Sequence, residues 1–153
     1  MPSTLPDEPD TLTPAQALDG AVEHQTMLFD RRRTTPSAAR SFVAATLTQW
    51  GRTERLDDIQ LCTSELATNA VLHGAPAGGQ VLVRVELHAT LLRIEVHDGG
   101  KGRPEKQEAR DTADDGRGLL LVSAVADHWG VEERQGPGKC VWAAFHRRAV
   151  PAC

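Results

Sequence analysis

Glu65-Leu-Ala-Thr-Asn69 offers a carboxylate and a neutral amide one helical turn apart, on one helix face. Mg²⁺ takes hard oxygen donors and completes its octahedron with waters and substrate phosphates. Asn69 suits such a ligand because it adds no charge beside a polyphosphate. Glu65 suits a base that accepts a proton from an attacking hydroxyl or water. A solvated helix face would show the same pair, and the spacing alone does not separate the two readings.

Asp98-Gly-Gly-Lys-Gly102 places an acid at the end of an alternating run, followed by glycines. Asp-Gly also makes a plain turn. As a site, the carboxylate would accept from an amino group on a base, and an analogue lacking that group would leave the carboxylate unpaired. Gly100 and Gly102 would let the backbone pass close to the ligand. Gly116-Arg-Gly118 precedes an apolar helical stretch, where free N–H groups and the positive end of the dipole favour phosphate. Its plainer reading is a loop that starts a helix. In this order, the three stretches suit Mg²⁺-ATP.

The elements that must hold them follow from periodicity. His24 to Phe29 forms a short strand. Ser37 is the expected N-cap of a helix to Trp50, with Phe42, Val43, Leu47 and Trp50 at helical spacing and Gly51 as its stop. A second helix starts near Asp57 or Asp58 and runs to His73, with Gly74 as its C-terminal stop. Ile59, Cys62, Leu66 and Ala70 form its core stripe, and Glu65, Asn69 and His73 lie on the neighbouring one, as beside a cleft. His73 reads most simply as a helix-end residue near the negative pole of the dipole.

Val81, Val83, Val85 and Leu87 alternate in one half-buried strand. Leu92, Ile94 and Val96 alternate with Arg93, Glu95 and His97 in the next, with a hairpin turn near Ala89-Thr90. The second strand delivers Asp98. Residues 99–117 are charged and rich in glycine, and 101–117 reads as a lid ordered by ligand, with Asp114-Asp115 on its surface. Leu119 to His128 reads as an apolar helix, and strands follow at about Gly130–Arg134 and Lys139–His146. Arg31-Arg32-Arg33 is a solvated run or a contact for an acidic partner.

With 153 residues, 40% hydrophobic and 25% charged, the chain can bury a core without disulfides or a structural metal. A net charge of -4 gives no footprint for nucleic acid or an anionic membrane. No apolar run is long enough for a membrane span, and Met1-Pro-Ser-Thr-Leu lacks the pattern of a signal peptide, so a cytoplasmic location is expected. Cys62, Cys140 and Cys153 are scattered, with no zinc or disulfide spacing, and Cys62 falls among core positions. The proline-rich first twenty residues read as a flexible tail.

Taken together, the motifs resemble the GHKL ATPase superfamily, which holds gyrase B, MutL and the histidine-kinase catalytic domain. Glu65-Leu-Ala-Thr-Asn69-Ala-Val-Leu-His73-Gly74 is similar to its N box, Asp98-Gly-Gly-Lys-Gly102 to its G1 box, and Gly116-Arg-Gly118-Leu-Leu-Leu-Val to its G2 box. The small size and the run from Gly118 to Gly130 look most like the anti-sigma-factor serine/threonine kinases and their actinobacterial relatives.

The resemblance implies an α+β fold: a two-layer α/β sandwich, the Bergerat ATP-binding fold, with a mixed, mostly antiparallel sheet and helices on one face. The ATP-binding domain would span residues 21–148, between an N-terminal tail at 1–20 and a C-terminal tail at 149–153. It assigns Asn69 to Mg²⁺, Asp98 to the adenine amino group, Gly100 and Gly102 to the adenine loop, and Gly116, Arg117 and Gly118 to phosphates. Glu65 would be the general base. Relatives carry a threonine near the start of the last strand, where it joins the adenine site, and Cys140, a weaker donor, stands at the corresponding place.

The implied partners are a sigma factor and/or an anti-anti-sigma protein, with no direct nucleic-acid or membrane contact, and a homodimer is left open. A kinase acting on the anti-anti-sigma partner is the leading function. A nucleotide-responsive binding module without kinase activity, or an ATPase in which Glu65 activates water, are the alternatives.

Overall fold

The computed structural model describes residues 21–74, 79–98, 119–133 and 138–147. The tails expected at 1–20 and 149–153 lie outside the described residues. Strand β1 (Glu23–Asp30) is followed by helices α1 (Thr35–Trp50) and α2 (Leu56–Asn69), a π-helical turn (Ala70–Gly74), and strands β2 (Gln80–Leu87) and β3 (Leu91–Asp98). A short helix α3 at 119–125 precedes β4 (His128–Glu133) and β5 (Lys139–His146). The strands form one sheet in the order β1-β2-β3-β5-β4. Every neighbouring pair is antiparallel, so the mixed sheet narrows to a wholly antiparallel one among the described strands.

Helix α1 begins earlier than its expected cap at Ser37. Thr34 holds the N-cap position and Pro36 falls in the first turn, where its fixed φ and missing N–H cost nothing. Gly51 closes the helix in the left-handed region at φ 72°, donating its N–H to the carbonyls of Leu47 and Thr48. Helix α2 starts at Leu56 with Asp57 and Asp58 in its first turn, the favourable end of the dipole for acids. The β2–β3 hairpin turns at Ala89-Thr90 as expected, with His88 N–H donating to Leu91 O at 2.8 Å.

Helices α1 and α2 pack on each other and on one face of the sheet. Val43 and Leu47 meet Ile59, Cys62 and Leu66 and the inward side chains of β2, β3 and β5, such as Val85, Ile94 and Phe145. The opposite face of β3 departs from simple alternation. Arg93 and Glu95 are buried there, where a polar row facing water was expected. Arg93 lies over the Trp142 ring, 4.3 Å from its centroid, and donates from Nε to Glu95 Oε2 at 2.7 Å. Gly130 on β4 makes room for that indole, because a Cβ there would come within 2.9 Å of Trp142 Cζ2.

The last expected helix stops short: α3 ends at 125 and His128 already belongs to β4. Tertiary pairing takes over at Asp127, whose N–H donates to Ala144 O at 3.0 Å. Its Oδ2 accepts from His146 N–H at 2.7 Å and from Arg55 Nη1 at 3.1 Å. Arg55 also donates to Asp58 at the start of α2 and to Val125 O at the end of α3, and it faces the Phe145 ring. One guanidinium thus joins α2, α3 and β5.

Burial works against the Asp127 carboxylate, but the His146 N–H and Arg55 outweigh it and hold its pKa below the ordinary carboxylate range. A depressed folded pKa gives stability that is complete above the unfolded value, about 3.9, and is lost as pH falls through the folded one. The Asp127 side chain is 32% exposed, so screening reduces the effect. Asp127→Asn is expected to cost about 1 kcal/mol at neutral pH. In urea titrations, the gap to wild type should narrow as pH falls from about 6 through the ordinary carboxylate value and close only below the folded one, and a gap independent of pH would show that the carboxylate charge plays no part.

Candidate functional site

Helix α2 turns Ile59, Cys62, Leu66 and Ala67 into the core and leaves Glu65 and Asn69 half-buried beside them. This is the edge position the four-residue spacing predicts. The helix then widens at Ala70–Gly74 into a π turn, with Val71 buried and His73 half-buried. Such turns are rare and cluster at functional sites. The changed pitch ends the regular stacking of His73 over Asn69. Arg31, from the run that reads as solvated in sequence, donates from Nε to Val71 O at 2.8 Å and braces the π turn. Nothing in the local sequence marks that contact, because its partner is forty positions away.

Asp98 ends β3 on the face that carries Ile94 and Val96, and it is buried. Its carboxyl group lies against Gly74. A Cβ at Gly74 would stand 2.6 Å from Asp98 Cγ and closer still to Oδ2. Gly74 is therefore a clearance, inside the π turn and outside the left-handed region that a glycine stop would occupy. The clearance lets the end of the Glu65–Asn69 helix close on the strand-end acid. Asp98 thus stands on the helix-covered side of the sheet, against the turn that ends the helix carrying Glu65 and Asn69.

Cys140 does not join them. Register pairs Asp98 with Lys139 and His97 with Cys140, and directly paired residues share a face. Cys140 thus stands on the opposite side of the sheet from Asp98, and its assignment to the adenine site is corrected. The neighbouring positions on the Asp98 side are Lys139 and Val141. Gly100, Gly102, Gly116, Arg117 and Gly118 lie outside the described residues, as do the 101–117 lid and Asp114-Asp115. Cys62 is a core thiol as expected, pushed up to about 12 by burial and then by Asp58, which keeps it protonated and unreactive.

The sequence and the fold have counterparts among known proteins. The anti-sigma F factor of Geobacillus kaustophilus is 30% identical over 129 residues, covering 77% of this chain and 88% of the relative. That of Clostridium acetobutylicum is 31% identical over 94 residues, covering 56% of this chain and 66%, just under two thirds, of the relative. That of Bacillus licheniformis is 38% identical over 77 residues, covering 48% of this chain and 53% of the relative. The crystal structure of the RsbU and RsbW domains of Rv1364c from Mycobacterium tuberculosis superposes with a TM-score of 0.62 at 19% identity. It covers 84% of this chain and 33% of that one, a likeness of fold. The histidine kinase-like ATPase domain matches residues 29–145, a stretch that contains Glu65, Asn69, Gly74 and Asp98. By that match the chain belongs to the histidine kinase-like ATPase domain family.

Proposed function

We propose that the chain is an ATP-binding, anti-sigma-type regulator that phosphorylates a serine or threonine of an anti-anti-sigma partner. The observation that carries the reading is the buried Asp98 carboxyl group lodged against Gly74, at the end of the helix that presents Glu65 and Asn69. The relatives named as anti-sigma F factors support the choice of protein substrate over the other uses of the fold.

Asp98 would accept a hydrogen bond from the adenine amino group, and guanine would turn a carbonyl oxygen toward the same carboxylate. The donor set suits Mg²⁺: half-buried Asn69 would supply a neutral oxygen on the helix edge, and phosphate oxygens and water would complete the octahedron. When bound, Mg²⁺ supplies charge neutralisation across the phosphates. Glu65, one turn before Asn69, would take the proton of the attacking hydroxyl. Among the described residues no helix is long and apolar enough to cross a membrane.

The decisive experiment incubates the chain with γ-labelled ATP, Mg²⁺ and purified anti-anti-sigma candidates encoded nearby. The expected result is label on a serine or threonine of one candidate, lost when that hydroxyl is replaced by alanine. Release of inorganic phosphate without a labelled partner would replace the kinase with an ATPase. Nucleotide-dependent partner binding without any transfer would leave a binding module.

A further inference from the structure

The face of the sheet turned away from Asp98 carries a cluster with no part in the proposed phosphoryl transfer. Glu95 and His97 alternate on β3 and so share that face, and Cys140 is paired with His97 across the β3–β5 ladder. One ligand-type atom from each of the three lies within 4.8 Å of the others. Glu95 and Cys140 are buried, and the His97 side chain is 20% exposed, which leaves a path from solvent. We propose that Glu95, His97 and Cys140 form a thiolate-containing site for a transition-metal cation of the Zn²⁺ class.

The donor set is one carboxylate oxygen, one imidazole nitrogen and one thiolate sulfur, a combination suited to Zn²⁺ and poorly suited to Mg²⁺. Zn²⁺ bonds of about 2.0–2.3 Å give tetrahedral edges of roughly 3.3–3.8 Å, so the Glu95–His97 contact must open from 2.8 Å as the three ligand atoms, now within 4.8 Å, settle around the ion. The strands carrying them are β3, central in the sheet, and its neighbour β5, so the backbone is already held. Glu95 is oriented from behind, because Arg93 Nε holds Oε2 at 2.7 Å while Oε1 faces His97 Nε2 at 2.8 Å. The hydrogen bond to His97 is the contact that a cation would replace.

Charge accounting points the same way. Glu132 pairs across β4–β5 with Cys140, and its carboxylate lies 3.7 Å from Arg93 Nη2. Arg84, paired with Glu95 across β2–β3, is taken up by Glu86, so Glu95, Glu132 and a Cys140 thiolate would bring three negative charges against the remaining positive charge of Arg93. A divalent cation closes that balance. Binding converts Cys140 Sγ–H to a metal-bound thiolate and releases its proton to solvent. The site is separated from the nucleotide by the thickness of the sheet, so the two can be tested apart.

The test uses the full chain in buffer free of Mg²⁺ and nucleotide, with Co²⁺ as a spectroscopic probe and Zn²⁺ as competitor. One Co²⁺ per chain is expected, with a thiolate-to-metal charge-transfer band and tetrahedral d–d bands that Zn²⁺ abolishes. Cys140→Ser should lose the charge-transfer band and weaken Zn²⁺ by more than about 100-fold, beyond the loss typical of an outer-shell partner. Cys62→Ala should keep both. Zn²⁺ should raise the melting temperature of wild type and leave Cys140→Ser unmoved. If Cys140→Ser fails to fold by circular dichroism, the half-buried His97→Ala decides, with a weaker Zn²⁺ affinity and altered d–d bands expected. Absence of a thiolate band at one equivalent of Co²⁺, its survival in Cys140→Ser, or unchanged metal binding in His97→Ala would each overturn the site.

Discussion

Gly74→Ala is expected to remove most of the affinity for ATP while leaving the chain folded. The added methyl would overlap the Asp98 carboxyl group, whose Cγ lies 2.6 Å from where the new Cβ must stand. Asp98 is at the end of its strand and has a short side chain, so the cheapest relief is rotation of the carboxyl group away from the cleft. Its hydrogen bond to the base is then lost. A hydrogen bond to a charged group is worth about 1.5–3 kcal/mol, so calorimetry should show ATP binding weakened roughly 10- to 100-fold. Gly74 lies in a helical turn outside the positive-φ region, so alanine there gains helix propensity, at most about 1 kcal/mol. Overpacking beside a buried side chain costs about 1–3 kcal/mol, which offsets that gain. Weak binding by a variant that keeps a wild-type circular dichroism spectrum and a cooperative melt supports the clearance, whereas wild-type affinity for ATP would show that Asp98 does not read the base.

The elements that carry this argument differ in how far local pattern revealed them. Alternation placed Val81 to Leu87 and Leu92 to Val96 correctly because both strands cover one apolar core. The four-residue spacing of Glu65 and Asn69 survives because α2 is a regular helix up to Asn69. Beyond Asn69 the rule fails, since a π turn has no local composition signal and Arg31 holds it from a distant part of the chain. The face on which Cys140 stands was illegible for a different reason. A shift of one residue in register moves a side chain to the other side of a sheet, and register is fixed by pairing between strands far apart in sequence. The buried row on β3 escaped for a related reason. Arg93, Glu95 and His97 look like a solvated edge until Trp142 and Glu132 are brought over them from β5 and β4.

Glu65→Ala should abolish phosphoryl transfer to the partner while leaving nucleotide binding largely intact, and Asn69→Ala should lose both. The proposed roles separate the two variants although the residues are one turn apart. Asn69 would hold the Mg²⁺ that neutralises phosphate charge in the ground state as well as in the transition state, so its loss would weaken the complex before any chemistry. Glu65 would gain a proton only as the hydroxyl attacks. Its removal therefore falls on the rate, by about 10²–10⁴-fold for a positioned base. Taking a carboxylate from beside the phosphates also relieves like-charge repulsion, so ATP affinity in Glu65→Ala should be equal to wild type or slightly tighter. Single-turnover transfer of labelled phosphate, measured beside calorimetric binding, reads both quantities in each variant. Transfer at the wild-type rate by Glu65→Ala would remove this residue from the chemistry. Tight Mg²⁺-ATP binding by Asn69→Ala would move the metal ligand elsewhere along the cleft.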